Sequence, residues 1–174
     1  MKKVILPLCI LTLGMASQVF AADGNVNFTG NIIASGCTVN GDSGTTINVP
    51  MGTYASSSLA TAGAVTTPQN FNIKLTSCPS NAVKVRFDGT AVSGQPTLLA
   101  LTTGQATTGY LGIQITDLNS NVNYNISGQT DAVAFQTPSS GSLSIPLAAR
   151  YYAVKAGVPA GTANATTAFN LEYK

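Results

Sequence analysis

The sequence contains no histidine, and only 8% of its 174 residues are charged. Without histidine the chain lacks the usual general base, the commonest metal-ligating side chain and any Ser-His-Asp triad. The six acidic residues occur singly, so no local pair of carboxylates indicates acid–base catalysis. We therefore predict a protein that is not an enzyme, with no catalytic residue, no metal site and no cofactor.

An excess of positive charge is also missing. Eight basic residues stand against six acidic ones, and Lys2 and Lys3 at the start of the chain account for the whole difference. Nucleic-acid-binding domains carry a basic face or stripe. The remainder of the chain is formally neutral, so we predict no nucleic-acid partner.

No apolar run is long enough to span a bilayer, which takes about 20 residues. The mainly apolar stretch Val4–Leu13 follows the two lysines, and a small residue, Ala21, ends the region. This order of basic, apolar and small residues is typical of a secretion signal. We predict that residues 1–21 are a cleaved signal peptide and that the rest of the chain is exported.

Cysteine is scarce, with three residues, and Cys9 lies within the predicted signal. Cys37 and Cys78 then remain as an even pair in an exported chain, which favours a disulfide. A metal or redox site would require a CxxC pattern or a histidine, and neither is present. Closing this loop of roughly 40 residues would contribute about 4 kcal/mol on the chain-entropy estimate.

The sequence shows no convincing 3.6-residue apolar period of a helix. Instead, short alternating or β-branched runs recur, separated by clusters of turn-forming residues. They predict an antiparallel β-sandwich, with a short helical turn or a mobile loop in Ala55–Thr67. The runs are Val26–Ile32, Ile47–Val49, Phe71–Leu75, Val83–Phe87, Leu111–Thr116, Asn121–Ile126, Leu143–Ile145, Tyr151–Val154 and Thr166–Tyr173.

The last of these runs is followed by a single residue. Phe169, Leu171 and Tyr173 share one face of the predicted strand, and smaller or polar residues share the other. The sequence therefore predicts a final strand with no following segment to cover its free edge.

The first run has an apolar face formed by Val26, Phe28, Gly30 and Ile32. A glycine on this face indicates that the opposing surface lies close to the backbone. Two interpretations remain open. The run is either the first strand of its own sandwich or a strand that is added to a neighbouring copy.

Six segments, in order along the chain, resemble the type 1 family of chaperone–usher pilins. The most specific feature is the penultimate Tyr173 combined with Gly161, the fourteenth residue from the end. The resemblance covers nearly all of the chain after the signal. The segments are Phe28–Ile32, Cys37–Val39, Phe71–Pro79, Gly109–Asp117, Pro146–Ala153 and Gly161–Tyr173.

This resemblance implies an incomplete immunoglobulin-like antiparallel β-sandwich that lacks its last strand and is completed by donor-strand exchange. Residues 22–35 would be the N-terminal donor extension and residues 36–174 the pilin domain. The donor strand would present Val26, Phe28, Gly30 and Ile32. The acceptor groove and chaperone recognition would involve Gly161, Phe169, Leu171 and Tyr173.

The resemblance also implies partners and a location. A periplasmic chaperone would lend a strand to the groove, and an outer-membrane usher would replace it with the extension of a neighbouring pilin subunit. The protein would pass through the periplasm to a cell-surface fimbrium that supports cell adhesion. The alternative is a secreted carbohydrate-binding module. The absence of tryptophan and the placement of most tyrosine and phenylalanine residues in strand patterns argue against a sugar-stacking platform.

Overall fold

The computed structural model describes residues 24–40, 44–128 and 132–174, so the predicted signal peptide lies outside the described residues. Within them the chain forms nine strands and one 3-10 turn, Ser56–Leu59, which is the first of the two alternatives predicted for Ala55–Thr67. The strands are β1 Thr38–Asn40, β2 Gln69–Thr76, β3 Val83–Asp88, β4 Ala91–Val92, β5 Gln95–Ala100, β6 Leu111–Asp117, β7 Val122–Asn123, β8 Leu143–Ala153 and β9 Ala168–Tyr173.

Two antiparallel sheets share one hydrophobic core. The larger sheet has the order β1-β2-β8-β6-β5-β4, with β7 paired to β6, and the smaller sheet consists of β3 and β9. Buried side chains from both sheets, such as Ile73 on β2, Phe87 on β3 and Ile113 on β6, belong to the same cluster. The predicted antiparallel sandwich is confirmed.

Two predicted runs form no strand. Val26–Ile32 lacks any assigned strand, and Ile47–Val49 belongs to neither sheet. Ile47 and Val49 are nevertheless half-buried against the core, on either side of the exposed Asn48. The period-two pattern therefore predicted the alternation of buried side chains correctly, although this segment joins neither sheet.

Strand β8 is longer than predicted, because it runs through Pro146 and joins two runs that the sequence analysis kept apart. The carbonyl oxygen of Pro146 accepts a hydrogen bond from the Leu118 N–H, just past the end of β6. In a strand the N–H and C=O of one residue point to the same side. The missing N–H of Pro146 therefore faces the end of β6 and removes no bond from the ladder with β2.

The predicted disulfide is present between Cys37 and Cys78, with their Cα atoms 4.1 Å apart. Cys37 immediately precedes β1 and Cys78 follows β2 by two residues, and these strands pair with Thr38 opposite Thr76. The disulfide therefore joins β1 to β2 covalently, just beyond the end where the two strands are already paired by backbone hydrogen bonds.

Replacing both cysteines by serine is expected to lower the free energy of unfolding by about 2–5 kcal/mol, because the unfolded chain then gains loop entropy. Urea denaturation of the purified protein measures this loss. Wild-type protein treated with a reductant is the control and should approach the stability of the double variant. Two free thiols in the exported protein, detected by mass spectrometry without reduction, would contradict the assignment.

Among the described residues no helix is long and apolar enough to cross a membrane.

Candidate functional site

Strand β9 has one paired edge and one open edge. Among the described residues its only ladder partner is β3, in a register that runs from Val83 opposite Tyr173 to Asp88 opposite Ala168. Phe169, Leu171 and Tyr173 are half-buried, whereas the three residues that alternate with them are exposed. The predicted face of the last strand is therefore directed inward, and the backbone of the open edge remains available to another strand.

An open groove of about 1130 Å³ runs along this edge. Its two walls are residues 45–52 and residues 163–171, and its base is apolar. This volume exceeds the roughly 300–1,000 Å³ of typical small-molecule sites, and its length along a strand suits an extended polypeptide. The base is formed by Phe71, Ile73, Phe87, Leu99, Ile113, Ile115, Ala149 and Tyr151.

Tyr151 connects the base of the groove to one wall. Its hydroxyl donates a hydrogen bond to the carbonyl oxygen of Ala163 at 2.8 Å, and its ring meets that of Tyr54 edge-on at 6.2 Å. Burial raises the pKa of Tyr151 above the usual value of 10.0, and the neighbouring Tyr54 raises it further. The phenol therefore stays protonated at neutral pH and continues to donate to the wall.

The outer face of β9, formed by Ala168, Asn170 and Glu172, is exposed. Ala168 and Asn170 still border the groove, whereas Glu172 lies outside its lining. Glu172 points to this side and forms an ion pair with Lys84 on β3, with an N–O distance of 3.6 Å. The Lys84 ammonium also lies 5.1 Å from the centre of the Phe135 ring. The two faces of β9 are thus chemically distinct, with large apolar side chains on the half-buried face and alanine, amide and carboxylate side chains on the exposed face.

Tyr173 lies beyond the groove lining, at the far end of β9. Its hydroxyl oxygen accepts a hydrogen bond of 2.7 Å from the backbone N–H of Cys37. The next residue, Lys174, donates its own N–H to the carbonyl oxygen of Ala82. The contact between Tyr173 and Cys37 was not predicted, because nothing in the local sequence connects residues 136 positions apart.

Gly161 also lies outside the groove lining. A Cβ atom on this residue would be 3.1 Å from the Cβ of Ala106, so the loop before the wall segment passes close to a neighbouring loop. Close packing against Ala106 therefore explains why a glycine suits position 161. The predicted role of Gly161 in the acceptor groove or in chaperone recognition stays a prediction.

Residues 24–32 belong to a compact unit separate from residues 33–174. They contain no helix or strand, and Val26, Phe28 and Ile32 are 78%, 93% and 100% exposed. The interpretation of this run as the first strand of its own sandwich therefore has no support in the structure.

The described residues hold no group of three or more Cys, Asp or Glu side chains that could bind a metal ion. What the described site offers instead is an apolar surface beside an open strand edge.

The fimbrial protein family model matches residues 26–174. The chain is 40% identical over its full length to a type-1 fimbrial protein subunit of Serratia marcescens, which it also covers completely. In fold it resembles the rod subunit of the P pilus, with a TM-score of 0.67 and 23% identity over 80% of this chain and 100% of that one. A chaperone–usher pilus structure matches 91% of this chain and 100% of its own, with a TM-score of 0.65 and 23% identity.

These neighbours share the immunoglobulin-like sandwich and are structural components of cell-surface pili rather than enzymes, and none of them supports the carbohydrate-binding alternative. The chain therefore belongs to the fimbrial protein family and is a structural subunit of a pilus.

Proposed function

We propose that the groove beside β9 accepts the N-terminal extension, residues 22–35, of a neighbouring subunit. Each subunit would complete its sandwich with a strand supplied by the next, and the fibre would grow by this donor-strand exchange. The observation that carries the proposal is the apolar groove along the one edge of β9 that has no partner among the described residues.

The chemistry of the extension fits this groove. In an extended conformation Val26, Phe28 and Ile32 fall on one face, since alternate side chains of a strand point the same way. All three are exposed in the free chain, and burying each in a neighbour contributes about 1.5–3 kcal/mol. Backbone pairing along β9 adds to this. The total is comparable to the roughly 5–15 kcal/mol stability of a whole domain.

An unfilled groove also explains the need for other partners. An exposed apolar surface beside an open strand edge promotes aggregation. A periplasmic chaperone would fill the groove with its own strand after the signal peptide, residues 1–21, directs export. An outer-membrane usher would then exchange that strand for the next extension. The similarity to a chaperone–usher pilus supports this route. Phe169 and Leu171 would contact the inserted strand, and Gly161 and Tyr173 would support chaperone recognition.

A synthetic peptide of residues 23–34 is expected to bind the subunit and raise its melting temperature, because it fills the groove. The measurement is thermal unfolding with increasing peptide concentration. A peptide carrying Phe28→Asp should raise the melting temperature very little, because its binding would bury an unpaired charge in the groove. A matched peptide carrying Asn27→Asp adds the same charge on the opposite face and should bind nearly as well as the native sequence.

Equal binding of the Phe28→Asp and Asn27→Asp peptides would contradict the proposed strand register. Failure of the native peptide to bind a subunit with an empty groove would contradict donor-strand exchange itself.

A further inference from the structure

The contact of Tyr173 with Gly36 and Cys37 joins the last strand to the residues that follow the extension. The Cys37 N–H donates to the Tyr173 hydroxyl oxygen at 2.7 Å. A Cβ atom on Gly36 would lie 2.7 Å from that oxygen and 3.3 Å from the ring carbon that bears it. Gly36 does not have a positive φ, so the glycine is needed here for space rather than for backbone conformation.

Cys37 is held from two directions. Its side chain forms the disulfide with Cys78, and its backbone N–H donates a hydrogen bond to the Tyr173 hydroxyl oxygen. Tyr173 is itself fixed, because it pairs with Val83 in the β3–β9 ladder and the next residue donates to Ala82. The chain at residues 36–37 therefore has a defined position relative to β9.

We propose that Tyr173 is a positioning residue that fixes the point from which the extension of its own subunit starts. This inference rests on the proposed donor-strand exchange. Ile32 is four residues before Gly36, and an extended chain covers at most about 3.3–3.6 Å per residue. A fixed starting point thus limits where the apolar side chains of the extension reach, and so sets how deeply they enter a neighbour's groove. Strand β9 would then have two roles: it borders the groove that accepts a neighbour's strand, and through Tyr173 it positions the donor extension of its own subunit.

The first test follows the hydrogen bond directly. Tyr173→Phe keeps the ring and removes the acceptor of the Cys37 N–H. Amide hydrogen exchange of Cys37 in the purified subunit should accelerate by about 2- to 10-fold, the equivalent of one hydrogen bond, while amides within β2 keep their wild-type rates. An unchanged Cys37 amide would overturn the proposal.

The second test follows donor function. Gly36→Ala places a methyl group against the Tyr173 hydroxyl but lies outside the groove lining. This variant should attach to a wild-type subunit several-fold more slowly, and its own groove should bind the peptide of residues 23–34 with wild-type affinity. Because both changes disturb one contact, the Gly36→Ala/Tyr173→Phe double variant should be no slower as a donor than the slower single variant.

Donor rates at the wild-type level in both single variants, or rate losses that simply add in the double variant, would overturn the proposal. A failure of donor-strand exchange looks different. In that case the wild-type subunit neither binds the peptide nor joins a second subunit, whereas the Cys37 amide still reports whether Tyr173 holds this segment.

Discussion

Removal of residues 23–33 is expected to abolish attachment of the subunit to a neighbour's groove while leaving its own groove functional. The deleted residues that the structure describes lie outside every strand and outside the hydrophobic core. The sandwich should therefore fold as before and still accept a strand. Its apolar donor side chains, Val26, Phe28 and Ile32, would be gone.

The measurement is fibre length after the truncated and wild-type subunits are mixed in known ratios. The truncated chain should accept one donor and then stop growth, so that fibres shorten as its fraction increases. Binding of the 23–34 peptide to the truncated subunit is the control for an intact groove. Fibres assembled from the truncated chain alone would show that the donor assignment is wrong.

Leu171→Asp is expected to weaken the binding of any strand in the groove by about 100-fold or more, since an unpaired buried charge costs several kcal/mol. Leu171 and Asn170 both border the groove, but the Leu171 side chain is half-buried, whereas the Asn170 side chain is exposed on the other face of β9. Asn170→Asp therefore adds the same charge one residue away and should change affinity by no more than about twofold, as expected for an exposed site.

Peptide affinity and recovery of the chaperone complex measure the effect of these two variants. Circular dichroism of each purified variant separates lost binding from lost folding. Similar losses for both variants would contradict the assignment of the inner face, and wild-type binding by the Leu171→Asp variant would exclude β9 as the groove strand.

The features that were predictable from sequence are those with a local pattern. The alternation of Phe169, Leu171 and Tyr173 predicted the inner face of β9 correctly, and the pair Cys37 and Cys78 predicted the disulfide correctly. Both predictions depend on simple rules, the two-residue period of strands and the pairing of cysteines in exported proteins.

Features without a local pattern were missed. Strand β5 was not predicted because Leu98 and Leu99 are both buried, so its side chains do not alternate between apolar and polar. The prediction of a strand at Ile47–Val49, within the groove wall, is wrong because a segment that packs alternate side chains on the core has the same alternation without joining a sheet. The contact between Gly36 and Tyr173 depends on the complete fold.

The groove and the extension are different parts of one chain, and this has a consequence for assembly. A contact between two unlike surfaces is heterologous, and when its repetition does not close into a ring it produces an open filament. Under the proposed exchange, such a filament always has two unlike ends, one with an unused extension and one with an unoccupied groove. Growth and termination would then be controlled separately, because a molecule that blocks one end has no binding surface at the other.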